Sequence, residues 1–178
     1  LGNKLPTAAT GYTGGVLPTP PADARGGYYE SGGDITISET SGVQKKITVK
    51  ANNITINGDI KTELPPGLFN DSTTPVVLLI ADGNINISSN VRRIDAVLIA
   101  GGNINTCTTS AGAAIPRNQW HTSCRSKLVI NGAIGAKNIN FQRSIGTRLK
   151  GGTNEDMVRV FSGNMAGGAG SLTEAAEV

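Results

Sequence analysis

One phrase occurs twice in the middle of the chain, and it restricts the fold more than any other feature. Leu78-Leu79-Ile80-Ala81-Asp82-Gly83-Asn84-Ile85-Asn86-Ile87 returns as Val97-Leu98-Ile99-Ala100-Gly101-Gly102-Asn103-Ile104-Asn105-Thr106. Each copy is an apolar run, a glycine-containing corner, then a polar–apolar alternation. Alternation with period 2 is a strand signal, and Gly or Asn between strands supplies the turn. A short unit that resembles itself in this way predicts a solenoid, in which each coil buries its inner face on its neighbours.

The phrase has weaker relatives on both sides. Ile47-Thr48-Val49-Lys50-Ala51-Asn52-Asn53-Ile54-Thr55-Ile56 repeats it in alternating form, which points Ile47, Val49, Ala51, Ile54 and Ile56 inward. Leu128 to Phe141 is a further copy, and Asp34 to Ser38 is a short strand that reads as a capping coil. Aligning Asn53, Asn84, Asn103 and Asn138 gives spacings of 31, 19 and 35. Removing insertions of roughly 11 and 15 residues from the first and third brings all of them close to 20. The expected architecture is therefore all-β: a single-stranded parallel β-helix of about 20 residues per coil over 34–150, with corner insertions at 64–75 and 108–123.

Composition agrees with narrow coils. Aromatic residues are 4% of the chain and charged residues 16%, while Gly reaches 24 and Asn 16. Stacked coils need little aromatic bulk, and Gly and Asn tolerate the backbone of tight corners. No apolar run approaches the length of a membrane span. The chain begins at Leu1 without Met, which fits a mature product with its leader removed, and fits a fragment equally.

The two ends read differently. Residues 1–33 lack sustained periodicity and are rich in Pro and Gly, yet they hold all three tyrosines. Leu5, Tyr12, Val16, Leu17, Tyr28 and Tyr29 are apolar anchors that a solvating linker does not need. They predict an extended arm that packs along a neighbouring copy by strand addition. In 151–178, Met157 to Phe161 reads as a last strand, and Ser171 to Val178 as the start of a short helix or a tail.

Cys107 and Cys124 enclose 16 residues, and a disulfide between them implies export to an oxidising compartment. Two cysteines and a single histidine, His121, are too few for a structural zinc site, so no metal or cofactor is expected. The net charge of +3 conceals blocks of −1 over 1–95, +7 over 96–154 and −3 over 155–178. The middle block has no Asp or Glu. Arg125, Lys127, Lys137, Arg143 and Arg148 therefore form a candidate basic face for an anionic glycan or for the acidic part of another copy. Nucleic acid is not expected, because this block offers only Trp120 and Phe141 for stacking.

Chemistry is sparse. Asp59, Asp82 and Asp95 are the carboxylates that a carbohydrate-active β-helix would place in a groove. Asp82 sits at an Ala-Asp-Gly corner, where a turn role is the simpler account, and Asp95 follows Arg92-Arg93 and is expected to pair locally; His121 has no evident nucleophile or metal beside it and reads as structural or solvent-facing. No phosphate loop or nucleotide fingerprint occurs. Thr36, Thr48 and Thr55 begin a threonine ladder, but Asn and Ser replace it in the central coils, which disfavours an ice-binding face.

Residues Ile94 to Cys107, a later cysteine, and Lys127 to Ile134 together resemble uncharacterised bacterial exported β-solenoid surface proteins. The short coils are more loosely similar to the bactofilins, whose β-helical subunits polymerise end to end. The resemblance covers about Ile47 to Phe141. It implies a structural, self-associating role, an extracellular location and no catalytic residues. The cysteines and insertions depart from the bactofilin pattern and point to the cell exterior.

Overall fold

The structure, a computed structural model, describes residues 9–20, 26–63 and 74–143. Leu5, Arg148, most of the 64–75 insertion, the strand expected at 157–161 and the helix expected from Ser171 lie outside the described residues.

The fold is all-β and parallel. Its strands are β1 (Ala9–Thr10), β2 (Gly26–Glu30), β3 (Ile35–Ile37), β4 (Thr40–Val43), β5 (Lys46–Ala51), β6 (Ile54–Ile56) and β7 (Ile60–Thr62), followed by β8 (Val77–Ala81), β9 (Ile85–Ser88), β10 (Arg93–Ile94) and β11 (Val97–Thr108). After a short helix, α1 (Trp120–Ser123), come β12 (Val129–Ile130) and β13 (Ile134–Asn140). Among the described residues, nine strands form one sheet in the order β1-β2-β5-β8-β11-β9-β6-β3, with β13 also on β11. The other four form a second sheet, β12-β10-β7-β4. Every pairing between these strands is parallel, so the chain returns to each ladder in the same direction.

The ladders keep like residues in register. Val49, Leu79, Leu98 and Ile134 are successive partners, as are Ala51, Ala81, Ala100 and Ala136. Beyond the glycine corner the column is Ile35, Ile54, Ile85, Ile104 and Ile139. Ile85 and Ile104, the equivalent isoleucines of the two phrases, are therefore direct neighbours. The second sheet contributes Ile60, Ile94 and Ile130. The inward members are buried except in the last repeat, where Ile130, Ile134, Ala136 and Ile139 are partly buried, and Ile54, Ile85, Ile94 and Ile104 are at 0% exposure. The expected inward set, Ile47, Val49, Ala51, Ile54 and Ile56, is buried throughout.

Two features depart from the expectation. The second phrase is one continuous strand, β11, and not two strands broken at Gly101-Gly102. Its first half pairs with β8 and its second half with β9, so the chain passes from one ladder to the next without a turn. A side chain at Gly102 would meet the Asn84 Oδ1 at 2.5 Å, which explains why this passage is glycine. The second departure is the arm. β1 and β2 are the first two strands of the nine-stranded sheet, so Ala9–Thr10 and Gly26–Glu30, within the segment read as an arm, pair into it.

Between the two halves of each repeat, asparagine side chains hydrogen-bond from one repeat to the next. Asn53 Oδ1 accepts from Asn84 N at 2.7 Å, and Asn84 Oδ1 accepts from Asn103 N at 2.8 Å. Asn103 Oδ1 accepts from Asn138 Nδ2 at 2.9 Å, and Asp34 begins the column by accepting from Asn53. A second ladder joins Asn86, Asn105 and Asn140. These bonds satisfy corner groups that would otherwise lack partners, which ties the asparagine spacing to the register.

Candidate functional site

The disulfide expected between Cys107 and Cys124 is present. Both cysteines are at 0% exposure and form a small cluster with Ile115 and Trp120, apart from the main core. Trp120 Nε1 donates to Ile115 O at 2.8 Å, and Thr108 makes an antiparallel bridge to Ala114. The 108–123 excursion is therefore a compact loop that buries its own bridge. His121 is half-buried in this loop, and its Nδ1 has no hydrogen-bond partner among the described residues. Closing a loop of sequence separation 17 contributes about 3 kcal/mol on the chain-entropy model. Reduction should lower the thermal midpoint by roughly 6–12 °C for a chain of this size, measured by circular dichroism with and without reductant.

The three carboxylates do not meet in one cleft. Asp82 is 64% exposed and lies 3.6 Å from Lys50 Nζ. Asp59 Oδ1 accepts from the backbone N of Arg92 and Arg93, and Lys61 pairs with its other oxygen at 3.1 Å. Asp95 is the most enclosed. It accepts from Arg93 Nε and Nη2 at 2.8 and 2.9 Å, from Asn131 Nδ2 at 2.7 Å and from Thr62 N at 3.0 Å. Of the three, only Asp95 lines the open pocket of about 300 Å³ beside Thr62, Arg93, Val97 and Asn131. Both its oxygens are already occupied by protein donors.

Burial opposes ionisation of Asp95, yet the donors from Arg93, Asn131 and Thr62 outweigh it and hold its carboxyl below the usual range. Asp59 follows the same pattern, with the Arg92 and Arg93 amides and Lys61 outweighing burial. A general acid for glycoside hydrolysis needs the opposite shift. A carboxyl whose folded pKa is depressed adds stability that is complete above its unfolded pKa and lost as pH falls through the folded one. With a reference of 3.8, the thermal midpoint should be level from neutrality to about pH 5 and fall below about pH 4. Asp95→Asn should flatten that fall while lowering stability at neutral pH. A pH series of thermal melts on both proteins checks this.

The basic residues separate into two groups. Arg125, Lys127 and Lys137 are exposed, and none forms an ion pair with a described residue. Arg143 differs from the expected surface cation. Its guanidinium donates to four backbone carbonyls: Thr106 O and Ser89 O at 2.6 Å, Ser88 O at 2.7 Å and Ser126 O at 3.2 Å. Burial brings its pKa down to about 10. It pins the end of β13 to β9, to β11 and to the segment after the disulfide. No local pattern announces this role, because the carbonyls are remote from Arg143 along the chain.

The arm anchors also divide. Leu17 is 4% exposed and belongs to the main core. Tyr12 and Tyr29 pack against that core with ring centroids 6.4 Å apart. Tyr28 is half-buried and bonds Glu30, while Val16 is 62% exposed. The described part of the arm is thus held by its own chain, and Gly15 bridges Ile37 to extend the ladders by one more layer.

Among the described residues no three His, Cys, Asp or Glu side chains gather to hold a metal. No described helix is long and apolar enough to cross a membrane. In comparisons with family models, curated proteins and solved structures, nothing matches the chain.

Proposed function

We propose that the parallel ladders are the faces of a β-solenoid whose coils have the period of the repeated phrase, and that the chain is a non-enzymatic, extracellular structural protein that assembles head to tail with copies of itself. The observation that carries this reading is the difference between the two ends of the stack. Residues 26–44, in the first layers, carry Glu30, Asp34 and Glu39 and no base. Residues 96–143, in the last layers, carry Arg117, Arg125, Lys127, Lys137 and Arg143 and no acid. At that last end β12 and β13 each pair on one side only among the described residues. Leu128, Ile130, Ile134, Ala136 and Ile139 there are only partly buried. An open strand edge with apolar side chains and complementary charge recruits another edge, and contacts that do not close by rotation produce filaments. The disulfide supports an oxidising, extracellular setting. The similarity of the short coils to bactofilin-type and exported solenoid proteins is part of the same reading.

The absence of catalysis in this reading rests on the carboxylates: Asp59 and Asp95 are held ionised by structural donors, and Asp82 lies exposed beside Lys50. A second reading is favoured by one observation: Arg125, Lys127 and Lys137 are exposed and form no ion pair among the described residues. In it the chain is a monomeric surface module that binds anionic glycan.

Negative-stain imaging and size-exclusion chromatography over a concentration series, at low and high salt, separate the two. End-to-end assemblies that survive high salt are expected from stacked apolar coils. A protein that stays monomeric at all concentrations, and binds a sulfated glycan only at low salt, would establish the second reading in place of the first.

A further inference from the structure

The first layer of the stack is built differently from the rest, and this has a bearing on assembly. β1 is only two residues long and pairs with β2 through Ala9↔Tyr29 and Thr10↔Glu30. Beyond it the arm touches the next ladder at a single bridge, with Gly15 N donating to Thr36 O at 2.7 Å and Ser38 N donating to Gly15 O at 2.9 Å. It reaches the second sheet through Leu17, whose N donates to Thr40 Oγ1 at 3.1 Å. Residues 9–20 therefore lie where a preceding coil would lie. They do so with few backbone bonds, two prolines and no charge.

Beneath this layer the edge presents Tyr29, Ile35 and Ile37. The first two continue the columns that end, at the other side of the stack, in Ile134 and Ile139. The edge also carries Glu30, Asp34 and Glu39, which the uncharged residues 9–20 do not compensate, although Lys50 meets Glu30 at 3.2 Å and Lys61 meets Glu39 at 4.0 Å.

We infer that the β2–β3–β4 edge is the docking surface for the β12–β13 end of a second copy, and that residues 9–20 occupy it as a removable cap. This rests on the head-to-tail reading above and adds where the contact forms and what holds it back. The occupant is a second copy because its β13 supplies the same isoleucine column in the same parallel direction, together with the basic side chains Arg125, Lys127 and Lys137. A cap with a two-residue strand is weaker than a full coil, so it raises the concentration needed for assembly and does not abolish it.

Gly14 provides the means of testing this. Its φ is +105°, and a Cβ there would lie 2.7 Å from the Thr36 backbone oxygen. Gly14→Ala therefore unseats the arm without altering any ladder residue. The expected result is a critical concentration for assembly at least tenfold below that of the unaltered chain, read by light scattering and negative-stain imaging. A synthetic peptide of residues 9–20 should reverse the effect. Leu17→Glu should behave as Gly14→Ala does, and circular dichroism on both variants verifies that the β-fold is retained. Assembly by the unaltered chain that Gly14→Ala weakens or leaves unchanged would overturn the cap while leaving self-assembly intact. The absence of assembly by every folded variant at any concentration would overturn both.

Discussion

Arg143→Met should destabilise the protein by roughly 3–5 kcal/mol, the largest effect expected from any single polar substitution. The reason is the number of groups left behind. One guanidinium satisfies the carbonyls of Ser88, Ser89, Thr106 and Ser126, all within 3.2 Å. Methionine fills similar volume and supplies no donor, so four acceptors lose a charge-assisted partner together. Water recovers some of them, which is why the expected loss lies well below the sum of four buried deficits. Arg143→Lys should fall between, because an ammonium cannot span four carbonyls on three segments. Urea unfolding of the three proteins gives the ranking. A cost below about 1 kcal/mol for Met would show that the guanidinium is solvated and not a staple.

Ile85→Ala should cost roughly 3–4 kcal/mol, and Ile85→Val about 1. Ile85 is at 0% exposure with Ile54 as its partner on one side and Ile104 on the other. Removing three carbons opens a cavity between strands whose backbones are fixed by their own ladders, so the site cannot collapse. Ile99 lies on the same strand as Ile104 but is 43% exposed on the outer face. Ile99→Ala should therefore change stability by less than about 1 kcal/mol. Denaturant midpoints for Ile85→Ala and Ile99→Ala compare inward and outward isoleucines directly. Equal losses would mean that the column does not form the core.

The parallel ladders are legible in the sequence because the repeated phrase carries the register with it. Asn53, Asn84, Asn103 and Asn138 mark the spacing, and the structure shows the cause: each amide oxygen accepts a hydrogen bond from the next asparagine in the column. The inward residues of Lys46–Ala51 are readable from alternation, since Lys50 marks the outer face. In Val77–Ala81 alternation fails, because Leu78 and Ile80 make the outer face apolar too. Only the alignment with Val49 and Ala51 assigns Leu79 and Ala81 to the core.

The arm is illegible for a related reason. Gly15 bridges Ile37, so the ladder does extend into it, but Gly, Pro and Thr occupy the positions where isoleucine marks the other repeats. Arg143 cannot be distinguished from a surface cation by sequence, because a buried guanidinium bonded to distant carbonyls leaves no local pattern. The carboxylates are better served. Asp95 next to Arg93 foretells the ion pair, though not the donors from Thr62 and Asn131 that complete it.

The most direct measurement is electron cryomicroscopy of assemblies formed by the Gly14→Ala protein. Filaments whose layers repeat every ~4.7–4.9 Å along the long axis, continuous from one subunit into the next, are the expected result. Particles joined side to side, with strand layers interrupted at every subunit boundary, would contradict end-to-end growth of the stack.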